Sequence, residues 1–120
     1  MKYLIMIYDN ASTRETFMGP DGAPLMAEIE AIMKEITESG ELVTTEALAD
    51  PSQTRTIRMV DGAPAVTDGP YAEAKEHLGG FIMVECETPE RAWDIARRWP
   101  SARFSPLEVW PVMSMDGAEM

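Results

Sequence analysis

The first strand of this chain needs cover on both of its faces, and this requirement constrains the fold more than any other sequence feature. Residues 2–8 read Lys-Tyr-Leu-Ile-Met-Ile-Tyr, a short run rich in aromatic and β-branched residues that predicts a strand. Strand side chains alternate between two faces, and here odd and even positions are both apolar. Helices packed on one side would cover only one face, so we expect an identical sheet to cover the other.

Two helices are predicted from spacing and capping signals. Apolar residues recur at three- and four-residue steps over residues 25–36, which predicts a helix that ends before Gly40. The stretch before it, residues 9–24, is expected to be a polar loop whose middle could be helical. The second helix is predicted to start at Thr88 as N-cap, with Pro89 in the first position, and to stop before Pro100.

The remaining strands are predicted at residues 41–48, 54–60, 63–67, 81–86 and 107–112. Asp61-Gly62 is a strong signal for a two-residue hairpin. Pro64 and two nearby arginines suggest that this hairpin is an exposed ribbon. A single helical turn is predicted after it, from Pro70 to a terminator at Gly79.

The element order is strand, helix, strand, hairpin, strand, helix, strand. Without the hairpin it is βαββαβ, which predicts a ferredoxin-like α+β fold with a β-hairpin insertion. The length of 120 residues fits one domain. We place this domain at residues 1–113 and expect residues 114–120 to be a loose tail.

The charge balance is acidic and excludes several classes of partner. Asp and Glu number 21 against 10 Lys and Arg, for a net charge of -11, which disfavours binding to nucleic acid. No apolar run approaches the ~20 residues of a membrane-spanning helix. The single cysteine, Cys86, cannot form an internal disulfide, and no signal peptide is evident. A cytoplasmic location is therefore expected.

One segment carries a family resemblance. Asp68-Gly69-Pro70 leads into Tyr-Ala-Glu-Ala-Lys-Glu, and Leu-Gly-Gly-Phe follows at residues 78–81. This segment resembles the signature of the DGPF group of the YCII-related family, in which Phe and Thr usually stand where this chain has Tyr71 and Ala74. The resemblance extends over most of the chain.

The resemblance implies a dimeric α+β barrel of ferredoxin-like protomers, with a small-molecule site in the dimer cleft. It also implies a link to sigma-factor pathways, because such proteins are often encoded beside extracytoplasmic-function sigma factors. The wider group is thought to use a His–Asp pair whose histidine lies on the first helix. Here that helix has no histidine, and Ile29 stands near the position. A His–Asp mechanism therefore does not carry over.

The candidate catalytic residues are Asp68, Lys75 and His77, which place an acid, a cation and a base within ten residues. A histidine near its ordinary pKa is a natural general base, and a neighbouring carboxylate can orient it. The alternative is structural. In that interpretation Asp68, Gly69 and Pro70 shape a tight turn, Lys75 and Glu76 are solvated, and His77 is an isolated surface residue.

Two further residues complete the predicted ligand site. Glu46 falls in a strand and is expected to be buried, so it would be protonated or paired with a cation such as Lys75. Tyr8 could offer its hydroxyl to a ligand, or be a core residue. These residues, with Asp68, Gly69, Pro70, Lys75 and Glu76, are the predicted ligand contacts.

No metal or cofactor is expected, because one histidine with scattered carboxylates lacks metal-ligand spacing and no phosphate-binding glycine loop opens a long helix. Two functions stay open. The first is a small-molecule-binding homodimer with a regulatory role. The second is a cofactor-independent lyase or isomerase that uses acid–base residues at the dimer cleft.

Overall fold

The structure is a computed structural model that describes residues 1–71 and 74–114. The strands are β1 (Lys2–Asp9), β2 (Leu42–Ala47), β3 (Arg55–Val60), β4 (Ala63–Asp68), β5 (His77–Glu85) and β6 (Leu107–Pro111). The helices are α1 (Ala11–Met18), α2 (Gly22–Glu38) and α3 (Pro89–Arg98). Short 3-10 turns span Pro51–Gln53 and Pro100–Arg103. Among the described residues, no helix has the length and apolarity to cross a bilayer.

Four strands form one antiparallel sheet in the order β2-β5-β1-β6. The two central strands, β1 and β5, are each followed by helices that pack back on the sheet. With the β3–β4 hairpin set aside, this is the βαββαβ arrangement of the ferredoxin-like fold. The fold predicted from element order is confirmed.

The core lies between one face of this sheet and the helices α2 and α3. Odd-numbered positions of β1 and even-numbered positions of β5 point into it. Thr88 caps α3 as predicted, because its side chain accepts a hydrogen bond from the backbone N–H of Arg91 at 3.3 Å. The buried apolar residues are Tyr3, Ile5, Ile32, Ile36, Ile82, Val84, Cys86, Ala92, Ile95, Ala96 and Trp99.

The opposite face of the sheet is also apolar, as the first strand predicts. Leu4 pairs across the ladder with Met83 and Trp110, and Met6 pairs with Phe81. Paired residues share a face, so these five side chains form one patch, which we call the outer face. Among the described residues no helix covers it, and Trp110 is 54% exposed.

The hairpin forms the predicted exposed ribbon. Asp61 and Gly62 adopt left-handed φ angles of 50° and 82°, as a two-residue turn of this kind requires. Within the part of the chain that the structure describes, its strands pair only with each other, and Ile57, Met59 and Val66 are largely exposed. The Cα radius of gyration is 16.4 Å, against about 13.6 Å for a compact chain of this length. The ribbon therefore extends from the body.

Two local predictions have different outcomes. The segment after β1, predicted as a polar loop whose middle could be helical, contains helix α1, because the Asn10 side chain accepts a hydrogen bond from Thr13 N–H at 2.8 Å and caps the helix. The helical turn predicted before Gly79 is absent from its described part, since β5 already begins at His77 and ladder pairing with the end of β1 favours strand there. Residues 72–73, and the predicted tail beyond Ser114, lie outside the described residues.

Arg91 links helices α2 and α3 to Glu41, the residue that precedes strand β2. Arg91 on α3 donates to both carboxylate oxygens of Glu41 at 2.9 and 2.8 Å, and to Glu35 on α2 at 2.9 Å. Hydrogen bonds from arginines lower the pKa of Glu35 and of Glu41 to about 2, with Arg98 contributing most at Glu35 and Arg91 at Glu41. The ionised carboxylates are therefore preferentially stabilised in the folded state.

We expect Arg91→Ala to lower the free energy of unfolding by about 2 kcal/mol at pH 7, because it removes charge-assisted hydrogen bonds. The matched control Arg97→Ala removes one exposed contact with Asp94 and should cost less than about 0.5 kcal/mol. Since both folded-state pKa values lie near 2, the loss should be complete above pH 4.5 and shrink towards pH 2. Urea unfolding between pH 2 and pH 7 measures the loss of stability. Equal losses in Arg91→Ala and Arg97→Ala would contradict the prediction.

Candidate functional site

A cavity of about 510 Å³ lies between helices α1 and α2 and the inner face of the sheet. Its volume falls within the range of small-molecule sites. The cavity lies inside the protomer, whereas the family resemblance implied a site in a dimer cleft. The apolar lining residues are Ile7, Phe17, Met18, Met26, Ile29, Met33, Ala47, Leu48 and Trp99.

Three of the polar lining residues, Asp9, Thr13 and Arg14, lie at the end of β1 and on the helix that follows it. Asp9 is the last residue of β1, and the Arg14 Nη1 atom donates to its Oδ2 atom at 3.4 Å. The same guanidinium has its Nε atom 3.9 Å from Asp50. The Thr13 hydroxyl shares a 2.7 Å hydrogen bond with Ser105. The Ser101 hydroxyl is buried and has no hydrogen-bond partner among the described residues.

A β-bulge and a glycine make room for the Asp9 carboxylate. Ile7 pairs with Gly80 but Tyr8 pairs with Leu78, so Gly79 is an extra residue in β5. A Cβ atom at Gly79 would lie 2.6 Å from the Asp9 Oδ2 atom. The carboxylate is thus packed directly against the glycine backbone. The first glycine of the Leu-Gly-Gly end of the family-like segment is therefore required for steric reasons, because any side chain at Gly79 would collide with Asp9.

Burial raises the pKa of Asp9 above its ordinary value, and the Arg14 guanidinium opposes part of this effect. The Asp9 side chain is 18% exposed. The nearby His77 favours the ionised form, while Asp50 disfavours it. A carboxyl group with a raised pKa at the end of a cavity is a candidate for ligand binding or proton transfer.

The predicted Asp68 site lies at the foot of the ribbon. The Asp68 side chain is 91% exposed and pairs with Arg55 at 3.2 Å. Gly69, with a left-handed φ of 86°, accepts a hydrogen bond from the Thr56 hydroxyl at 2.7 Å. Pro70 and Lys75 are exposed. None of these predicted residues lines the cavity.

The end of the same segment does approach the cavity. Glu76 accepts a hydrogen bond from the Asn10 amide at 3.1 Å, and Asn10 caps α1. His77 stands opposite Asp9 in the β1–β5 ladder. These two predicted residues therefore adjoin the polar end of the cavity from outside.

Tyr8 and Glu46 lie on the same side of the sheet as the outer face, and Glu46 is also one of the residues that line the cavity. The Tyr8 hydroxyl donates to Glu108 at 2.7 Å, and this bond raises the pKa of Tyr8. Glu46 pairs with Phe81 and is exposed. The expectation of a buried Glu46 is wrong, because β2 is an edge strand and this position faces away from the helices. Of the predicted site residues, all of which the structure describes, Glu46 alone lines the cavity, so they are not brought together in one cleft.

Four of the polar residues that line the cavity were not predicted from the sequence: Asp9, Thr13, Arg14 and Ser101. Two signals could have pointed to Asp9: it ends an apolar strand, and a Gly-Gly pair in a neighbouring strand indicates a close approach. Over residues 1–71 and 74–114, no group of three His, Cys, Asp or Glu residues could hold a metal ion. The Cys86 thiol is buried, and burial raises its pKa to about 11, so it is protonated at neutral pH.

We expect Asp9→Asn to leave the free energy of unfolding at pH 7 unchanged or slightly higher. A raised folded-state pKa means that ionised Asp9 opposes folding above that pKa, and the penalty is absent below about pH 3.8. The matched control is Asp50→Asn, since hydrogen bonds from Ser52 lower the pKa of Asp50 and its ionised form favours folding. Thermal unfolding at pH 7 should show stability changes of opposite sign in the two variants, or a clear difference between them. A similar loss of stability in both variants would contradict the prediction.

The chain is similar to known proteins in sequence and in fold. It is 30% identical over 114 residues to an uncharacterized protein of Rhizobium meliloti (strain 1021), covering 93% of this chain and 92% of that protein. A solved structure with a similar fold is the 5-chloro-2-hydroxyhydroquinone dehydrochlorinase of Burkholderia phenoliruptrix AC1100, in complex with 2,5-dihydroxybenzoquinone.

That structural similarity covers 98% of this chain and 99% of the dehydrochlorinase, with a TM-score of 0.51 and 14% sequence identity. At this identity it shows a shared fold. The family model of the YCII-related domain matches residues 1–116. The chain therefore belongs to the YCII-related family.

Proposed function

We propose that this protein binds a small, largely apolar molecule in the cavity beside Asp9. The observation that carries the proposal is the contrast within the lining: aliphatic, methionine and aromatic side chains form most of the wall, and the Asp9–Arg14 ion pair is part of the same wall. Apolar walls supply affinity, and a few placed polar groups fix orientation. The three lining methionines, Met18, Met26 and Met33, give the wall side chains that adapt to ligand shape.

The similarity to the dehydrochlorinase supports a choice of first probes. That protein was solved with a hydroxylated quinone ring, and a compound of one or two rings suits a cavity of about 510 Å³. A thermal-shift screen of hydroxylated aromatic compounds and small metabolites would test the proposal. A ligand at a hundred times its dissociation constant stabilises the folded state by about 2.7 kcal/mol.

A cavity-filling variant distinguishes this site from any other. Ala47 lies on the inner side of β2, opposite Gly80, and lines the cavity. We expect Ala47→Trp to weaken any ligand found in the screen at least tenfold, because the indole would occupy the ligand's volume. The matched control is Ala63→Trp, at an exposed position of the ribbon. If both variants bind the ligand like the natural protein, the cavity is not the site.

An alternative function is cofactor-independent acid–base catalysis of the lyase or isomerase type. The raised pKa of Asp9 favours it, since such a carboxyl group can take a proton from one position of a bound substrate and return it to another. Asp68, Lys75 and His77 remain the other candidates for this role. Once a substrate is known, Asp9→Asn should abolish turnover if the cavity is the active site. Loss of turnover in Asp68→Asn and Lys75→Ala would instead support the ribbon-foot residues.

We also propose that the protein forms a homodimer through the outer face. The patch of Leu4, Met6, Phe81, Met83 and Trp110 is what supports this, since a second copy would cover it with an identical apolar patch. A stable interface of this kind buries about 800 Å² per partner.

Two tryptophans provide a matched test of the dimer. Trp110 lies on the outer face and is 54% exposed, whereas Trp93 lies on helix α3 and is 52% exposed. We expect Trp110→Lys to convert the dimer into a monomer, because it places a charge in the apolar interface, and Trp93→Lys to leave the dimer intact. Light scattering coupled to size-exclusion chromatography measures the mass. A natural protein that is already monomeric would contradict the proposal.

A regulatory role linked to a sigma-factor pathway rests on the resemblance of residues 68–81 to the DGPF group. It predicts a direct or indirect complex with an extracytoplasmic-function sigma factor. A pull-down with the extracytoplasmic-function sigma factors of the source organism tests it, and recovery of none of them by a stable protein would contradict it.

A further inference from the structure

We infer that the cavity selects ligands that carry a hydrogen-bond donor, neutral or cationic, and rejects carboxylates and phosphates. This inference rests on the proposed function, because it names the ligand class of the same cavity. The groups that an incoming polar atom would meet beside Asp9 determine this selectivity.

Asp9 offers unused acceptor capacity. A carboxylate has about four acceptor positions, and the hydrogen bond described for Asp9 is the 3.4 Å contact from Arg14. Its side chain is mostly buried, so bulk water does little to satisfy the remaining positions. A ligand hydroxyl, amide N–H or ammonium group at this end of the cavity would supply the missing donor.

Arg14 is not free to receive an anion. Its guanidinium lies within 3.4 Å of an oxygen of Asp9 and 3.9 Å of an oxygen of Asp50. With all three groups ionised, two carboxylates and one guanidinium carry a net charge of -1. An anionic ligand would have to compete with both carboxylates for the same cation.

The other residues that line the cavity do not offset this net negative charge. The other polar side chains on the inner side are the hydroxyls of Thr13, Thr45 and Ser101. The lining residue Glu46 adds no positive charge, and the whole chain carries a net charge of -11. An anion would therefore be repelled on approach and would remain without a free cationic partner when bound.

Three probes of equal ring size test the inference: 2-naphthol, 2-naphthoate and 2-(aminomethyl)naphthalene. At pH 7.5 they are neutral, anionic and cationic. In calorimetric titrations of the full chain we expect naphthol or the amine to bind at least about tenfold more tightly than naphthoate, the size of effect that one nearby unscreened charge produces.

Two charge variants show whether the groups beside the cavity cause the selectivity. Asp9→Asn should reduce the preference for naphthol over naphthoate to below about threefold, because it removes the repelling charge. Arg14→Gln should increase the preference, because it removes the cation between the two carboxylates. The control for Arg14→Gln is Arg55→Gln, which changes the net charge equally but lies on the ribbon, beside Asp68, and should leave the preference unchanged.

The outcomes separate the two proposals. If naphthoate binds as tightly as naphthol, or if Asp9→Asn leaves the preference unchanged, the selectivity for donors is overturned while ligand binding in the cavity stands. An unchanged or reduced preference for naphthol in Arg14→Gln also overturns it, because removal of the cation should weaken naphthoate binding further. If none of the three probes binds, the proposed function itself fails.

Discussion

The central ladder between β1 and β5 supports the rest of this structure. Its register buries Tyr3, Ile5, Ile82 and Val84 on one face, against α2 and α3. The same register places Leu4, Met6, Phe81 and Met83 on the opposite face. A shift of one residue would exchange the two faces. The alternating apolar residues of these two strands therefore determine both the core of the protomer and the surface that a second copy would cover.

The bulge at the end of this ladder links the fold to the candidate site. Because Gly79 is an extra residue in β5 and has no side chain, the carboxylate of Asp9 can pack against the strand at the end of the cavity. Burial there raises the pKa of Asp9, so the ionised group opposes folding at neutral pH. A position that weakens the fold in this way is more easily explained by function than by stability.

The sequence predicted the regular elements well where one periodicity or one cap decided them. Helix α2 follows from the spacing of Leu25, Ile32 and Ile36, and α3 from the Thr88 cap. Helix α1 was harder to predict, because it buries few side chains and depends on the Asn10 cap. The ionisable groups of the segment from Asp68 to Lys75 predicted a functional site there, yet the cavity is lined by other residues. Local composition cannot show which side chains converge from β1, α1 and the Pro100–Arg103 turn.

The sequence by itself determined the element order, the ferredoxin-like α+β fold, the exposed hairpin and the apolar character of both sheet faces, because periodicity, caps and turn residues act over a few neighbouring positions. Tertiary structure alone decided that Asp9, Arg14 and Ser101 meet at one cavity. It also decided that Glu46 and Tyr8 lie on the other face of the sheet. The physical reason is that strand register and helix packing set which distant residues become neighbours, and burial then changes the chemistry of a side chain such as the Asp9 carboxyl group.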